Sequence, residues 1–173
     1  MRLRRLESIV FCAALVLARS ARADEARKAA APKKAASMAD HIITPDMLKF
    51  APAPPVLPAG AEIAGLNGDM TKKGSEFAVR LRLPDGWKIP PHFHPTDETV
   101  EVKKGTLLVG MGDKLDLSKA KAMKAGDKGS LPAKAHHFAA AQGATFISVS
   151  SMGPFALTYV NPADDPQKQV AKP

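Results

Sequence analysis

Apolar and polar residues alternate over short segments of the chain from residue 61 onward. The clearest case is Glu76–Leu83, in which every second position from Phe77 to Leu83 is apolar and two arginines lie between them. Successive side chains of a β-strand point to opposite faces, so a period of two indicates a strand with one buried face. The pattern therefore predicts a half-buried strand over Glu76–Leu83.

Further short strands are predicted along the rest of the chain. Glu98–Lys104 alternates in the same way, Gly105 interrupts the pattern, and Thr106–Val109 resumes it. Later strands are predicted over Lys128–Leu131, His136–Ala140, Thr145–Ser151 and Phe155–Val160. Strands separated by turns every 8–12 residues or so are typical of antiparallel sandwiches and barrels. Helix is predicted only over Asp116–Met123 and in one short turn over Thr44–Phe50, so the fold class is all-β, a single antiparallel jelly-roll barrel.

Composition narrows the function classes. The chain has 173 residues, which suits one domain with appendages. Its 15 prolines argue against a helical bundle, and an aromatic content of 5% argues against a base-stacking platform. The formal charge of +8 divides equally between the first 23 residues and the remainder, +4 each. The remainder is only mildly basic, so nucleic acid is not the expected partner.

Residues 1–23 have the pattern of a secretory signal peptide. Three arginines, the last of them Arg5, precede the ten apolar residues Ile9–Ala18, and an Ala-x-Ala cleavage pattern ends at Ala23. A bilayer-spanning helix needs about 20 apolar residues, so no stable membrane insertion is expected after cleavage. The single cysteine, Cys12, lies inside the apolar stretch. The sequence predicts a periplasmic or secreted protein without disulfides, exported by the general or the twin-arginine route.

Four segments follow the predicted signal peptide. Residues 24–41 are rich in Ala and Lys without apolar periodicity, which predicts a disordered spacer. Residues 42–60 are predicted to form a proline-rich N-terminal arm, because residues 51–60 alone contain four prolines. The barrel is predicted over residues 61–162, and residues 163–173 form a C-terminal tail.

Histidines and a glutamate are placed where they could hold a metal. His92 and His94 lie two apart on an extended segment, so their side chains share a face. Glu98 begins the next strand on its apolar face, where an ionised carboxylate is costly without a cation or a donor. A third imidazole is available at His136 or His137, of which only one can face the same side. A divalent metal between these groups would account for all of them.

The spacing of these residues resembles the first motif of the cupin superfamily. That motif consists of Gly, five residues, His-x-His, three or four residues, Glu, six residues and Gly. Every position of it is present in this sequence, at Gly86, His92, His94, Glu98 and Gly105.

The second cupin motif is present in part. Gly126, Pro132 and His137 are in register, whereas Lys134 and Ala141 replace a glycine and an asparagine. Because a residue with a Cβ resists positive φ, Lys134 puts the turn, and with it the choice of His137 over His136, in question.

The resemblance covers about residues 60–160, and the ending Gly153–Pro162 is similar to a group of exported bacterial single-domain cupins. It implies a jelly-roll barrel with a metal held by four ligands, His92, His94, Glu98 and His137. A metal-free cupin pocket is the alternative. His136 is then an outward residue, and its face, shared with Phe138, could pack against a neighbouring strand or a second subunit, which leaves a homodimer open.

Three imidazoles and one carboxylate suit Mn, Fe, Zn, Ni or Co, and ligand type alone does not choose between them. Two functions are consistent with such a site. The first is an exported metal-dependent enzyme acting on a small oxygenated molecule, of dioxygenase-like oxidoreductase or isomerase type. The second is a non-catalytic module that binds a small ligand, favoured by the absence of a separate acid–base residue in the pattern. No catalytic residue other than the metal ligands is predicted.

Overall fold

The chain folds as an antiparallel β-structure throughout the part that the computed structural model describes, residues 47–169. Its nine strands are β1 (Ala51–Pro52), β2 (Glu62–Asn67), β3 (Glu76–Leu83), β4 (Lys88–Phe93), β5 (Glu98–Met111), β6 (Lys121–Lys124), β7 (Lys128–Leu131), β8 (His137–Met152) and β9 (Thr158–Tyr159). All strand pairings in this range are antiparallel. The predicted all-β fold class is confirmed.

Strand β3 has the predicted bounds and the predicted faces. Its apolar positions Phe77, Val79, Leu81 and Leu83 are buried, and the residues between them are less so. The buried side chains point into the interior of the sheet, where they meet residues of β5 and β8 in one core. Period two is therefore a sufficient signal for this strand, because one of its faces is apolar along its whole length.

Two long strands, β5 and β8, curl the sheet around its interior. The second half of β8 pairs with β3, and its first half pairs with β4, while β5 follows β8 along both halves. The segments predicted separately on either side of Gly105, and those predicted over His136–Ala140 and Thr145–Ser151, are thus continuous strands. The pairing of β5 with β8 is irregular near Gly105, but β5 continues through this point.

A bulge at Gly105 changes which residues of β5 face inward. Glu98 and Val100 face the interior before the bulge, and Leu107 and Val109 face it afterwards. Gly105 adopts a φ of 81°, and a Cβ there would lie 2.6 Å from the carbonyl oxygen of Ala144. Only glycine fits both constraints, so this residue sets the parity of the second half of the strand.

Strand β4 also carries an irregularity, and it positions the candidate site. Ile89 pairs with Ala139 and His92 with His137, so three steps along β4 oppose two along β8. The extra residue falls at Pro90–Pro91, where proline is tolerated because it has no N–H to donate. As a result Ile89 and His92 both face the interior although they are an odd number of residues apart.

Two local predictions are wrong. Asp116–Met123 is not a helix: Leu117–Lys119 forms one 3₁₀ turn, and Lys121–Lys124 is β6, which pairs with β5. Pairing with β5 determines the conformation of residues 121–124 and overrides their local preference for helix. Of the strand predicted over Phe155–Val160, only β9 forms, because Phe155 leaves the sheet to pack inside.

The described part of the proline-rich arm packs against the core and lines its cavity. The Tyr159 hydroxyl donates to the Val56 carbonyl oxygen at 2.8 Å, and the Trp87 indole donates to that of Pro58 at 3.1 Å. Val56 and Leu57 pack against the core. The last described element is the one-turn helix α1 (Pro166–Gln169).

Several predictions fall on residues outside the described range. They are the signal peptide (1–23), the spacer (24–41) and the ends of the arm and the tail. Residues 44–46 of the predicted turn over Thr44–Phe50 lie outside it, and Leu48–Phe50 are not helical. No helix within residues 47–169 has the length and apolar character needed to cross a membrane.

Candidate metal centre

Three histidines converge inside the barrel. His92 lies in β4 directly opposite His137 at the start of β8, and their ring centroids are 4.2 Å apart. His94, just after β4, is 5.0 Å from His92 and 5.2 Å from His137 by the same measure. All three are buried, with exposures of 3–4%. The cluster therefore forms because β4 pairs with β8, which places His92 opposite His137.

Backbone carbonyls determine which nitrogen of each ring is protonated. The Nδ1 atoms of His92, His94 and His137 lie 2.8, 2.8 and 2.9 Å from the carbonyl oxygens of Pro90, Ala156 and Ala135. A carbonyl oxygen only accepts, so each Nδ1 must carry the hydrogen. Each neutral ring then presents the lone pair of Nε2, the arrangement in which an outer partner orients a metal-binding imidazole.

Two of the inward-facing nitrogens have no hydrogen-bond partner within residues 47–169. Nε2 of His94 and Nε2 of His137 are buried without a hydrogen bond among the described residues. Burial lowers the pKa of His92 well below its ordinary value, and the neighbouring His137 adds to the effect. Burial also lowers the pKa of His94, although Glu98 opposes the shift. The two rings therefore stay neutral at physiological pH, which is the state that binds a metal.

Glu98 stands beside two of these nitrogens. Its Oε2 is 3.5 Å from Nε2 of His94 and 3.4 Å from Nε2 of His137. These distances exceed the 2.7–2.9 Å or so of a charge-assisted hydrogen bond. The residue is 8% exposed, at the first position of β5. Burying a carboxylate costs free energy, and so does burying nitrogen lone pairs that have no hydrogen-bond donor. A cation between Glu98 and the ring nitrogens would compensate both costs.

The donor set fits a divalent transition metal. The ligand atoms of His92, His94 and His137 lie within 4.8 Å of one another, and these three residues are placed to hold an ion. Imidazole nitrogen and carboxylate oxygen are ligands that Mn, Fe, Co, Ni and Zn all accept. The four residues predicted as ligands from their spacing in the sequence, including Glu98, thus lie together.

An apolar cavity adjoins the four residues. Its volume is about 390 Å³, within the range of small-molecule sites. Apart from the histidines, Glu98 and Thr71, the described side chains that line it are apolar. The arm contributes Val56 and Leu57 to its wall.

Comparison with known proteins supports the fold and leaves the activity open. No protein-family model matches the chain, and neither does any curated protein. Among solved structures, the RmlC-like cupin of Shewanella frigidimarina is 17% identical with a TM-score of 0.51, covering 65% of this chain and 89% of its own. The chain has a cupin fold. It is also similar to a candidate acetylacetone dioxygenase of Methylibium petroleiphilum, with 20% identity, a TM-score of 0.56 and coverage of 76% and 94%. The polyketide cyclase RemF of Streptomyces resistomycificus has 15% identity, a TM-score of 0.58 and coverage of 76% and 93%.

The turn before His137 contains a left-handed residue that is not a glycine. Lys134 has a φ of 62°, the left-handed conformation that a glycine would adopt at no cost. Its amide donates to the His94 carbonyl oxygen at 2.8 Å, which ties this turn to the other motif. The Lys134 side chain is exposed.

The neighbouring His136 points away from the cavity. Its ring stacks on Phe93 with centroids 5.1 Å apart, and its Nδ1 lies 2.6 Å from a carboxylate oxygen of Asp113. Glu101 also faces outward and pairs with Lys103.

Two elements of the site could not be predicted from the sequence. Phe155 stacks on His94 with ring centroids 4.4 Å apart and planes inclined by 20°. The next residue, Ala156, supplies the carbonyl that holds the His94 ring. The segment was predicted to continue as a strand, and no pattern in the sequence indicates that a loop 62 residues away touches His94.

Proposed function

We propose that this protein is a metal-dependent oxidoreductase of dioxygenase-like type that acts on a small oxygenated molecule. The proposed ligands of the divalent metal are His92, His94, Glu98 and His137. The observation that carries the proposal is the set of three buried imidazoles whose Nδ1 atoms all bond to backbone carbonyls. Their Nε2 lone pairs are thereby directed at one place, where Glu98 supplies a negative charge.

The chain's own groups have defined tasks in such a site. A bound metal supplies polarisation of a substrate oxygen and, if it is redox-active, electron exchange with dioxygen. The backbone carbonyls hold the imidazole rings in orientation, as outer partners of metal ligands do. The apolar wall keeps water away from the bound molecule, which strengthens the electrostatic interactions inside.

Non-catalytic ligand binding is the second candidate, favoured by the absence of a further acid–base group in the described cavity lining. Thr71 is its only other polar side chain among residues 47–169. The hydroxyl of Tyr159 is engaged with the Val56 carbonyl, and burial raises its pKa. Any chemistry here therefore relies on the metal and its ligands.

Metal analysis of matched variants tests the centre. We expect His137→Ala to lose metal or bind it at least about tenfold more weakly, since even outer-partner losses cost roughly 10–100-fold. His136→Ala, on the outer face of the same strand end, should retain the stoichiometry of the parent. Equal loss in both variants, or loss only in His136→Ala, would contradict the ligand assignment.

Dioxygen consumption then separates the candidate functions. Metal-loaded protein is incubated with candidate substrates while dissolved oxygen and products are followed. Uptake that requires the metal supports the oxidoreductase, conversion without uptake supports an isomerase, and saturable binding without conversion supports the binding module.

We further propose that the protein is exported after cleavage near Ala23. Support comes from the basic start, the apolar stretch Ile9–Ala18 and the Ala-x-Ala pattern. N-terminal sequencing of protein from a periplasmic or extracellular fraction should begin at or next to Asp24. Recovery of the intact chain, beginning at Met1, from the cytoplasm would contradict export.

A further inference from the structure

The three histidines of the metal centre differ in what orients their rings. His92 and His137 face each other on paired strands, and each Nδ1 bonds to a carbonyl only two residues away in its own segment. Strands β4 and β8 therefore fix the orientation of these two rings locally. His94 lies after the end of β4, and its Nδ1 bonds to the carbonyl of Ala156, 62 residues later. Only this ring depends on a distant part of the chain.

Two contacts from the loop between β8 and β9, residues 153–157, hold the His94 ring. The Ala156 carbonyl oxygen lies 2.8 Å from Nδ1. The Phe155 ring lies nearly parallel to the imidazole, with centroids 4.4 Å apart and planes inclined by 20°. The main chain of His94 is held separately, because its carbonyl accepts from the Lys134 amide at 2.8 Å. Loss of the loop contacts would thus leave the residue in place and allow its ring to change rotamer.

The 153–157 loop is itself held by the β2–β3 loop, residues 68–75. The Phe155 amide donates to the Met70 carbonyl oxygen at 2.8 Å, and the Gly153 amide donates to that of Ser75 at 2.8 Å. These bonds fix the start of the 153–157 loop next to the residue that stacks on His94. The β2–β3 loop therefore supports the imidazole through Phe155.

The two loops dock so closely that residue 153 has no space for a side chain. Gly153 is buried, and a Cβ on it would lie 2.5 Å from the Lys72 carbonyl oxygen and 3.0 Å from that of Asp69. Contacts this short force the main chain to shift when a methyl group is added. Substitution at residue 153 therefore perturbs the docking of the loops without changing any group that touches His94.

Both loops also form a part of the cavity wall that reaches solvent. Thr71 and Ala156 line the cavity and are exposed. Asp69 holds Thr71 in this place, since its Oδ1 accepts from the Thr71 amide at 2.8 Å and from the hydroxyl at 2.7 Å. The conformation of an exposed loop is thereby linked to the orientation of a buried metal ligand.

We propose that Phe155, supported by the β2–β3 loop, positions His94 for metal binding, so that the geometry of the metal centre depends on how the two loops dock. The inference rests on the metal centre proposed above. Phe155 is a positioning residue that acts through His94: its ring fixes the plane of the imidazole, and the adjoining Ala156 carbonyl fixes which nitrogen carries the hydrogen. Because coupling between sites is reciprocal, metal binding also stabilises the docked loops.

Two variants with matched controls test this role. Phe155→Leu removes the stacked ring and keeps an apolar side chain. Its control is Phe146→Leu, the same change at another half-buried phenylalanine, which packs on Phe50 with ring centroids 5.8 Å apart. Gly153→Ala disturbs the docking of the loops, and its control is Gly65→Ala, where a Cβ meets nothing within 4 Å. Phe155→Leu decides the question by itself if Gly153→Ala does not fold.

The first measurement is nitrogen-15 NMR of the imidazoles in metal-free protein. The parent should show His92, His94 and His137 protonated at Nδ1, with slow exchange of these hydrogens. In Phe155→Leu and Gly153→Ala, the His94 hydrogen should exchange about tenfold faster or more, because its acceptor is no longer held in place. The hydrogens of the other two rings should keep the parent's rates, as should all three rings in both controls.

The second measurement uses cobalt(II), whose visible absorption depends on the number and arrangement of its ligands. Phe155→Leu should change this spectrum and raise the dissociation constant by about tenfold or more, the cost of losing an outer partner of a metal ligand. Phe146→Leu should retain the spectrum and the affinity of the parent. In the parent, bound cobalt(II) or zinc(II) should slow amide exchange at Gly153 and Phe155.

The outcomes separate this inference from the proposed function. Cobalt(II) binding by the parent, with loss of protection confined to His94 in Phe155→Leu, supports both. An unchanged His94 signal and an unchanged cobalt spectrum in that variant overturn the positioning role and leave the metal centre intact. Equal loss of protection at all three histidines also overturns it, because the effect is then one of overall stability. Failure of the parent to bind cobalt(II) or zinc(II) overturns the proposed function and this inference with it.

Discussion

Replacing Glu98 by glutamine should weaken metal binding without weakening the metal-free fold. The carboxylate is 8% exposed, and its Oε2 lies 3.4–3.5 Å from two unprotonated ring nitrogens. In the metal-free protein this is a buried negative charge beside lone pairs. Glutamine has the same shape, removes the charge and offers N–H groups that those lone pairs can accept. We therefore expect metal-free Glu98→Gln to be as stable as the parent or more stable, by about 1–3 kcal/mol.

With metal present the order should reverse. Loss of a charged ligand should raise the dissociation constant by roughly 10–100-fold. At a metal concentration 100 times the parent's dissociation constant, ligation stabilises the parent by about 2.7 kcal/mol and the variant by about 0.4–1.4 kcal/mol. For a body of this size, about 4 °C per kcal/mol, the metal-induced rise in Tm should fall from about 10 °C to about 2–6 °C.

The assay is thermal unfolding in EDTA and in a metal series, with Glu101→Gln as the matched control. Glu101 lies on the same strand three residues later, faces outward and pairs with Lys103. Its substitution should leave the metal-induced rise unchanged. An unaltered dissociation constant in Glu98→Gln, or an equal loss in Glu101→Gln, would refute the role of this carboxylate. Destabilisation of metal-free Glu98→Gln by more than about 1 kcal/mol would refute the charge argument.

Two further predictions concern stability. Gly110→Ala should lower the free energy of unfolding by about 1–3 kcal/mol, because its Cβ would lie 2.1 Å from the buried Phe138 ring. Gly129→Ala is the control, since its Cβ makes an ordinary 3.4 Å contact and should cost less. Equal denaturation midpoints for the two variants would contradict this prediction. Burial holds the pKa of His92 and His94 below the unfolded value of about 6.5. Below that pH these two histidines bind protons in the unfolded chain but not in the folded protein. Metal-free protein should therefore lose stability as pH falls through about 6.5, by up to about 1.4 kcal/mol per unit for each histidine; a flat urea midpoint between pH 5.5 and 8 would contradict this.

The elements that could be predicted from the sequence are those whose signal is local. Strand β3 could be predicted with its bounds because its inner face is apolar throughout. The pair His92 and His94, and the carboxylate four residues later, could be predicted because their spacing matches a known motif in full. Residues that follow one another along an extended segment have a fixed relation of faces, whatever the rest of the chain does.

Counting along the second motif also led to His137 over His136. It depended on Lys134 taking the conformation of the glycine it replaces, which the chain does with a φ of 62°. The sequence alone left this open, since the preference of lysine against positive φ is small enough for a hydrogen bond such as that to the His94 carbonyl to offset.

Features that depend on pairing between distant segments could not be predicted and follow from the fold. The irregularities at Pro90–Pro91 and Gly105 change which residues face the interior, and each exists because the two paired strands advance by different numbers of residues. Residues 121–124 became a strand because β5 offered an unpaired edge. Phe155 and the Ala156 carbonyl reached His94 across 61 and 62 residues. Period and propensity describe a segment alone, whereas register, bulges and ring orientation follow from the partner it meets.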